Sequence, residues 1–158
     1  MKLEVEWMRS ILLRDARRDE NLIYNVTLER LSSTAGIYIF GRRWGDQFEA
    51  LYVGKANSIR PRVKGQLNNL RVMRHLQSAK TGKRVLLVGR VITKPGQQLE
   101  KCLLLVERAL IRYFLSEGHD LVNMLGTRIR RHEVSSSGKL PKRFIPGLMF
   151  VERGKGMK

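Results

Sequence analysis

Cysteine is almost missing from these 158 residues: Cys102 is the only one. A single thiol excludes an internal disulfide framework and any cysteine-rich zinc site. Its place in an apolar helical run reads as a buried structural thiol rather than a nucleophile, and it fits a reducing, cytoplasmic setting. Long apolar runs are missing too, since no stretch approaches the roughly 18 consecutive residues of a membrane span. The opening Met1-Lys2-Leu3-Glu4-Val5-Glu6-Trp7 lacks the basic-then-apolar order of a signal peptide. Internal repeats and low-complexity segments are absent. His75, His119 and His132 lack metal-ligand spacing and read as surface histidines. Carboxylates are scarce: 14 Asp and Glu face 31 Lys and Arg, a net charge of +17. Such a surplus repels itself unless a polyanion neutralises it, so nucleic acid is the leading partner. An acidic membrane surface would require a basic amphipathic anchor or a long apolar segment, and neither is present.

What remains is one domain by length, residues 1–158, with enough apolar sequence for a core. Residues 1–20 read as a charged helix carrying Ile11, Leu12 and Leu13, with Arg14, Arg17 and Arg18 near its end. Gly36 to Phe40 reads as a strand, and Arg42 to Glu49 as a polar hairpin loop around Gly45-Asp46. Ala50 to Gly54 is a second strand. Asn57-Ser58 cap a helix from about Ile59 to Gln77, interrupted near Asn68-Asn69. A third strand, Arg84 to Ile92, ends at Lys94-Pro95-Gly96. A long helix from about Gln97 to Glu117 stops at Gly118. The basic tail ends in an apolar piece, Phe144 to Val151, that docks as a strand. The fold class is α+β: a small antiparallel three-stranded sheet flanked by helices, with extensions at 1–31 and 127–158.

On a helical wheel Leu99, Leu103, Val106, Leu110 and Phe114 fall on one side of the long helix, and Lys101, Arg108 and Arg112 on the other. Glu107 falls among the apolar group. A carboxylate there is costly unless it is paired or bound to a metal. A salt bridge to an arginine and a metal ligand at the edge of the core both satisfy it, and the wheel does not choose between them.

Gly36-Ile37-Tyr38, followed by Tyr52-Val53-Gly54 with the second tyrosine fourteen residues after the first, resembles the paired tripeptides that name the GIY-YIG nuclease family. Lys55-Ala56 follows the second tripeptide, and Arg62 comes one helical stretch later. Glu107 lies in Leu103-Leu104-Leu105-Val106-Glu107-Arg108, and Asn123 follows in Asp120-Leu121-Val122-Asn123. The resemblance covers about residues 34–126. The loop between the tripeptides and the distance from Glu107 to Asn123 are longer than in compact members. Arg60 and Arg62 both lie near the family arginine, and the spacing from Tyr52 and Lys55 favours Arg62.

The resemblance implies a DNA endonuclease with one Mg²⁺ or Mn²⁺ per active site, Glu107 being its main protein ligand. It also implies Arg62 on the scissile phosphate, Tyr38 as general base, Tyr52 positioning water or phosphate, and Asn123 buttressing the site. A free phenol is mostly protonated at neutral pH, so Tyr38 needs a cation to lower its pKa, and Lys55 is the candidate. Arg42, Arg43, Arg60, Lys64, Arg130, Arg131, Lys142 and Arg143 read as phosphate contacts. A catalytically inactive nucleic-acid-binding module of the same fold and an RNA nuclease are the rival readings. Cutting both strands of a duplex with one site per chain would, by analogy, suit a homodimer.

Overall fold

The chain opens in strands where a helix is expected. The reason is period: Leu3, Val5 and Trp7 alternate with Glu4 and Glu6, which suits a sheet with one covered face. The computed structural model describes residues 2–16, 22–122, 131–139 and 145–152, and of Arg131, Val151 and Glu152 only the backbone. β1 (Glu4–Trp7) and β2 (Ile11–Leu12) run antiparallel to residues 83–92, with Trp7 opposite Gly89 and Ile11 opposite Leu86. Four steps on one side face three on the other, so one extra residue bulges out and the alternation changes face. Leu3 and Val5 therefore pack on one side of the sheet, Ile11 and Leu13 on the other. β3 (Arg14–Asp15) and β4 (Tyr24–Asn25) form a small separate ladder.

β5 (Gly36–Trp44) and β6 (Gln47–Ala56) form a hairpin turning at Gly45-Asp46, with Gly45 at φ +58°, the left-handed region tight turns use. The strands run on through the expected polar loop because Arg42 and Glu49 face each other and pair at 2.8 Å. α1 (Ile59–Leu67) and α2 (Leu70–Ser78) break where expected, and the Asn69 side chain caps α2 by accepting the Val72 N–H at 3.4 Å. Past the C-terminus of α2, the Arg84 guanidinium donates to the carbonyls of Leu76, Ala79, Lys80 and Gly82, satisfying groups a helix end leaves free. Arg84 belongs to β7 (Lys83–Ile92). α3 (Leu99–Ser116) ends at Gly118, φ +85°, with the His119 N–H donating back to the Phe114 carbonyl. β8 (Arg131–Ser135) pairs with β9 (Leu148–Glu152), which packs on α3 and lays the Phe150 ring over Gly118.

The architecture is mixed α+β. The main sheet has the order β1-β7-β5-β6, with β2 also on β7, and all its pairings are antiparallel. The expected three strands are β7-β5-β6, widened along one edge. β5 serves both layers by simple alternation: Tyr38 and Phe40 enter the core under α1 and α2, while Ile37 and Ile39 enter the core under α3 with Cys102. β6 is the other edge. Leu121-Val122 run beside it, and the Val122 N–H donates to the Leu51 carbonyl at 3.0 Å. No helix among the described residues is long and apolar enough to cross a membrane.

Candidate functional site

Strand register brings the two tyrosines together. Tyr38 stands opposite Gly54 and Tyr52 opposite Phe40, on the same side of the sheet, with ring centroids 6.0 Å apart. Gly54 has a steric reason to be glycine. A Cβ there would overlap the Tyr38 ring and hydroxyl, so the phenol crosses β6 only where no side chain stands. Gly54→Ala is expected to cost about 1–3 kcal/mol by forcing this buried ring off its rotamer. The measurement is a lower denaturant midpoint at unchanged m value; an unchanged midpoint would refute the packing argument.

A third side chain joins the pair. Gln66 Nε2 donates to the hydroxyls of both Tyr38 and Tyr52 at 3.2 Å, and Gln66 Oε1 accepts from Asn69 Nδ2 at 3.1 Å. Gln66 lies one helical turn beyond Arg62 on α1, the spacing that puts both on one face. With Asn57, Ser58, Pro61 and Asn69 they line an open cleft of about 550 Å³. Sequence reasoning missed Gln66 and Asn69, and the signal that would have found Gln66 is its four-residue step from Arg62.

Burial pushes the Tyr38 phenol far above its ordinary pKa. The neighbouring Tyr52 adds to this, while Gln66 and Arg62 oppose it. Tyr52 is also raised by burial, with the Glu107 charge contributing, and Tyr38, Arg62 and Gln66 pull it back. Lys55 acts on neither phenol. The expected role of Lys55 in lowering Tyr38 is thus corrected: its charge and its backbone N–H both favour the Glu107 carboxylate.

Glu107 is 5% exposed, on the inward face of α3 as the wheel requires. Burial raises its carboxyl, Lys55 partly reverses this, and Glu107 Oε2 has no hydrogen-bond partner among the described residues. The cation beside it is Lys55 rather than an arginine. Among the described residues no cluster of three or more His, Cys, Asp or Glu surrounds it. One free carboxylate oxygen fits a hard divalent ion that keeps several waters and takes phosphate oxygens, the habit of Mg²⁺.

Compared with protein-family models, with curated proteins and with solved structures, the chain matches none. The site must be read on its own geometry.

Cations gather on the helical layer. Arg62, Lys64, Arg71 and Arg74 are exposed on α1 and α2, and exposed Arg60 grips the Leu31 carbonyl with two nitrogens. No Asp or Glu occurs between Glu49 and Glu100, a signal that would have added Arg71 and Arg74. Arg42 is a correction. It is buried, paired with Glu49, donates to the Thr81 carbonyl at 2.7 Å and sits 3.8 Å from the Trp44 ring centre. Strand alternation points it inward, so it is not a rim contact. Half-buried Arg43 stands five residues along β5 from Tyr38, about 16 Å at strand rise. The histidines are also corrected. His75 donates to the Asp120 carbonyl, His119 accepts the Ala50 N–H and stacks on Phe114, and His132 is half-buried on β8. Asn123, Arg130, Lys142 and Arg143 lie outside the described residues, and only the backbone of Arg131 is described.

Proposed function

We propose that the chain is a divalent-metal-dependent endonuclease hydrolysing DNA phosphodiester bonds by a single-metal mechanism, on a fold of the GIY-YIG kind. One observation carries the reading: a buried carboxylate oxygen without a hydrogen-bond partner among the described residues, Glu107 Oε2, in electrostatic reach of a tyrosine that Arg62 also faces. A buried charge left alone is costly, and one Mg²⁺ or Mn²⁺ offsets the cost. When bound, the ion supplies neutralisation of charge on the phosphoryl and leaving oxygens. The chain's own groups do the rest. Glu107 holds the ion, with its carboxylate oriented by the Lys55 N–H. Arg62 receives the phosphate with a planar fork of donors. Tyr38 takes the proton of the attacking water, Tyr52 orients that water or the phosphate, and Asn123 buttresses the site. Cutting both strands at once would suit a homodimer, with one site per copy.

The upward push on both phenols favours one other reading, a nucleic-acid-binding module of this fold without catalysis. The test is incubation with supercoiled DNA and with RNA, in Mg²⁺ and in chelator. Nicking of DNA in Mg²⁺ alone supports the proposal. Cleavage of RNA alone redirects it to RNA, and binding without cleavage of either leaves the module.

Binding itself makes a prediction. If Arg60, Arg62, Lys64, Arg71 and Arg74 each neutralise one phosphate, log affinity should fall with log salt at a slope of about −4.5, or about 500-fold from 50 to 200 mM. An affinity nearly flat over that range would contradict the basic face.

A further inference from the structure

We propose that Gln66, turned by Asn69, is the positioning residue that holds the two tyrosine hydroxyls together for the reaction, an inference that rests on the nuclease reading. The argument is one of donors and acceptors. A side-chain amide nitrogen carries two hydrogens, and Gln66 Nε2 meets two phenol oxygens. Its donors are therefore spent, and none is left for a phosphate. Gln66 Oε1 is taken by Asn69 Nδ2, and Asn69 Oδ1 is taken by the Val72 N–H.

That order admits one direction only. A backbone N–H can only donate, so Asn69 must present its oxygen to Val72 and its nitrogen to Gln66. Gln66 must then present its oxygen to Asn69 and its nitrogen to the phenols. The orientation of the amide, which the atoms alone leave ambiguous, thus traces to the first turn of α2. Since both phenols accept from Gln66, neither can donate to it. They can share one proton between them, and the other O–H is left to turn toward the cleft. A phenolate formed on either oxygen keeps a donor. The amide does not titrate, so it provides this at any pH at which the protein folds.

The experiment uses the full chain and three variants. Gln66→Met removes the donors at similar length. Gln66→Glu turns a donor into an acceptor. Asn69→Asp keeps the cap on Val72 but withdraws the N–H from Gln66, so the amide is expected to turn over. Single-turnover cleavage at saturating DNA should fall about 10–100-fold in Gln66→Met and Asn69→Asp, the worth of a hydrogen bond to a charged group, and further in Gln66→Glu. In a Tyr38→Phe background Gln66→Met should cost much less than in the wild type, because one of the two groups it positions is gone. Losses that multiply in that background would overturn the proposal. A second readout needs no cleavage: in protein with ¹³C-labelled tyrosine, the hydroxyl-bearing ring carbons of Tyr38 and Tyr52 should shift in Gln66→Met and Asn69→Asp, while those of Tyr24 and Tyr113 stay. Unmoved resonances would overturn the proposal whatever the rates. If the wild-type chain cuts neither DNA nor RNA, the nuclease reading fails, and the resonances alone decide whether Gln66 holds the pair.

Discussion

Glu107→Gln should be at once inactive and more stable than the wild-type protein. Loss of the ligand charge is expected to lower Mg²⁺-dependent cleavage at least about a thousandfold, the several kcal/mol that a metal ion contributes to a transition state. Retained DNA affinity would show that the surface is intact. Cleavage at the wild-type rate would remove Glu107 from the mechanism. The stability arm follows from the orphan oxygen. Burial raises the Glu107 carboxyl in the folded protein, so the folded state binds its proton more tightly than the unfolded chain does. The acid form carries no penalty. As pH rises from the ordinary carboxyl value through the raised one the penalty appears. In chelator at neutral pH, Glu107→Gln should therefore melt about 2–4 °C higher, roughly 1 kcal/mol for a chain this size. The gap should close on acidification to where Glu107 is protonated. Mg²⁺ should raise the wild-type midpoint and leave that of the variant unchanged. A variant less stable than wild type in chelator would mean that the carboxylate is structural.

Tyr38→Phe carries the second large effect, a loss of about 10²–10⁴-fold in single-turnover cleavage, the usual contribution of a positioned base. The fold should survive, since only the hydroxyl is removed. The pH profile is the sharper measurement. Burial pushes the Tyr38 phenol well above its ordinary range, so only a small fraction is ionised near neutrality. The wild-type rate should then climb about tenfold per pH unit without levelling off in the accessible range. Tyr38→Phe should lose that slope. Lys55→Met should keep it, because Lys55 favours the Glu107 carboxylate and not the phenol. Its effect belongs at the acid end, where the Glu107 carboxyl, deprived of its cation, would hold its proton to higher pH. A Tyr38→Phe profile with the wild-type slope would give the base to another group.

Alternation and spacing made the centre of the molecule legible. Ile37 and Ile39 against Tyr38 and Phe40 read as a strand and proved to face two different cores. The break at Asn68-Asn69, the stop at Gly118 and the inward position of Glu107 follow from capping chemistry and helical period. What was hidden depends on partners distant in the chain. Leu3, Val5 and Trp7 alternate at strand period, yet the charges that follow them resemble a helix surface. Only the edge of β7 decides between the two. Arg42 reads as a surface cation until Glu49 and Trp44 are placed beside it. Gln66 has no mark of its own; its importance comes from two hydroxyls contributed by other elements.

The extra residue between β1 and β2 has a consequence for the order of assembly. The ribbon of β1 and β2 is paired with a segment synthesised about 80 residues later, since Glu4 faces Ile92 and Leu12 faces Val85. It has nothing to pair with until β7 has emerged, and closing so long a loop comes late and slowly. The hairpin of β5 and β6 needs no such wait. The ribbon is therefore a late staple across both layers, and until it closes, β7 presents an open edge to any strand nearby.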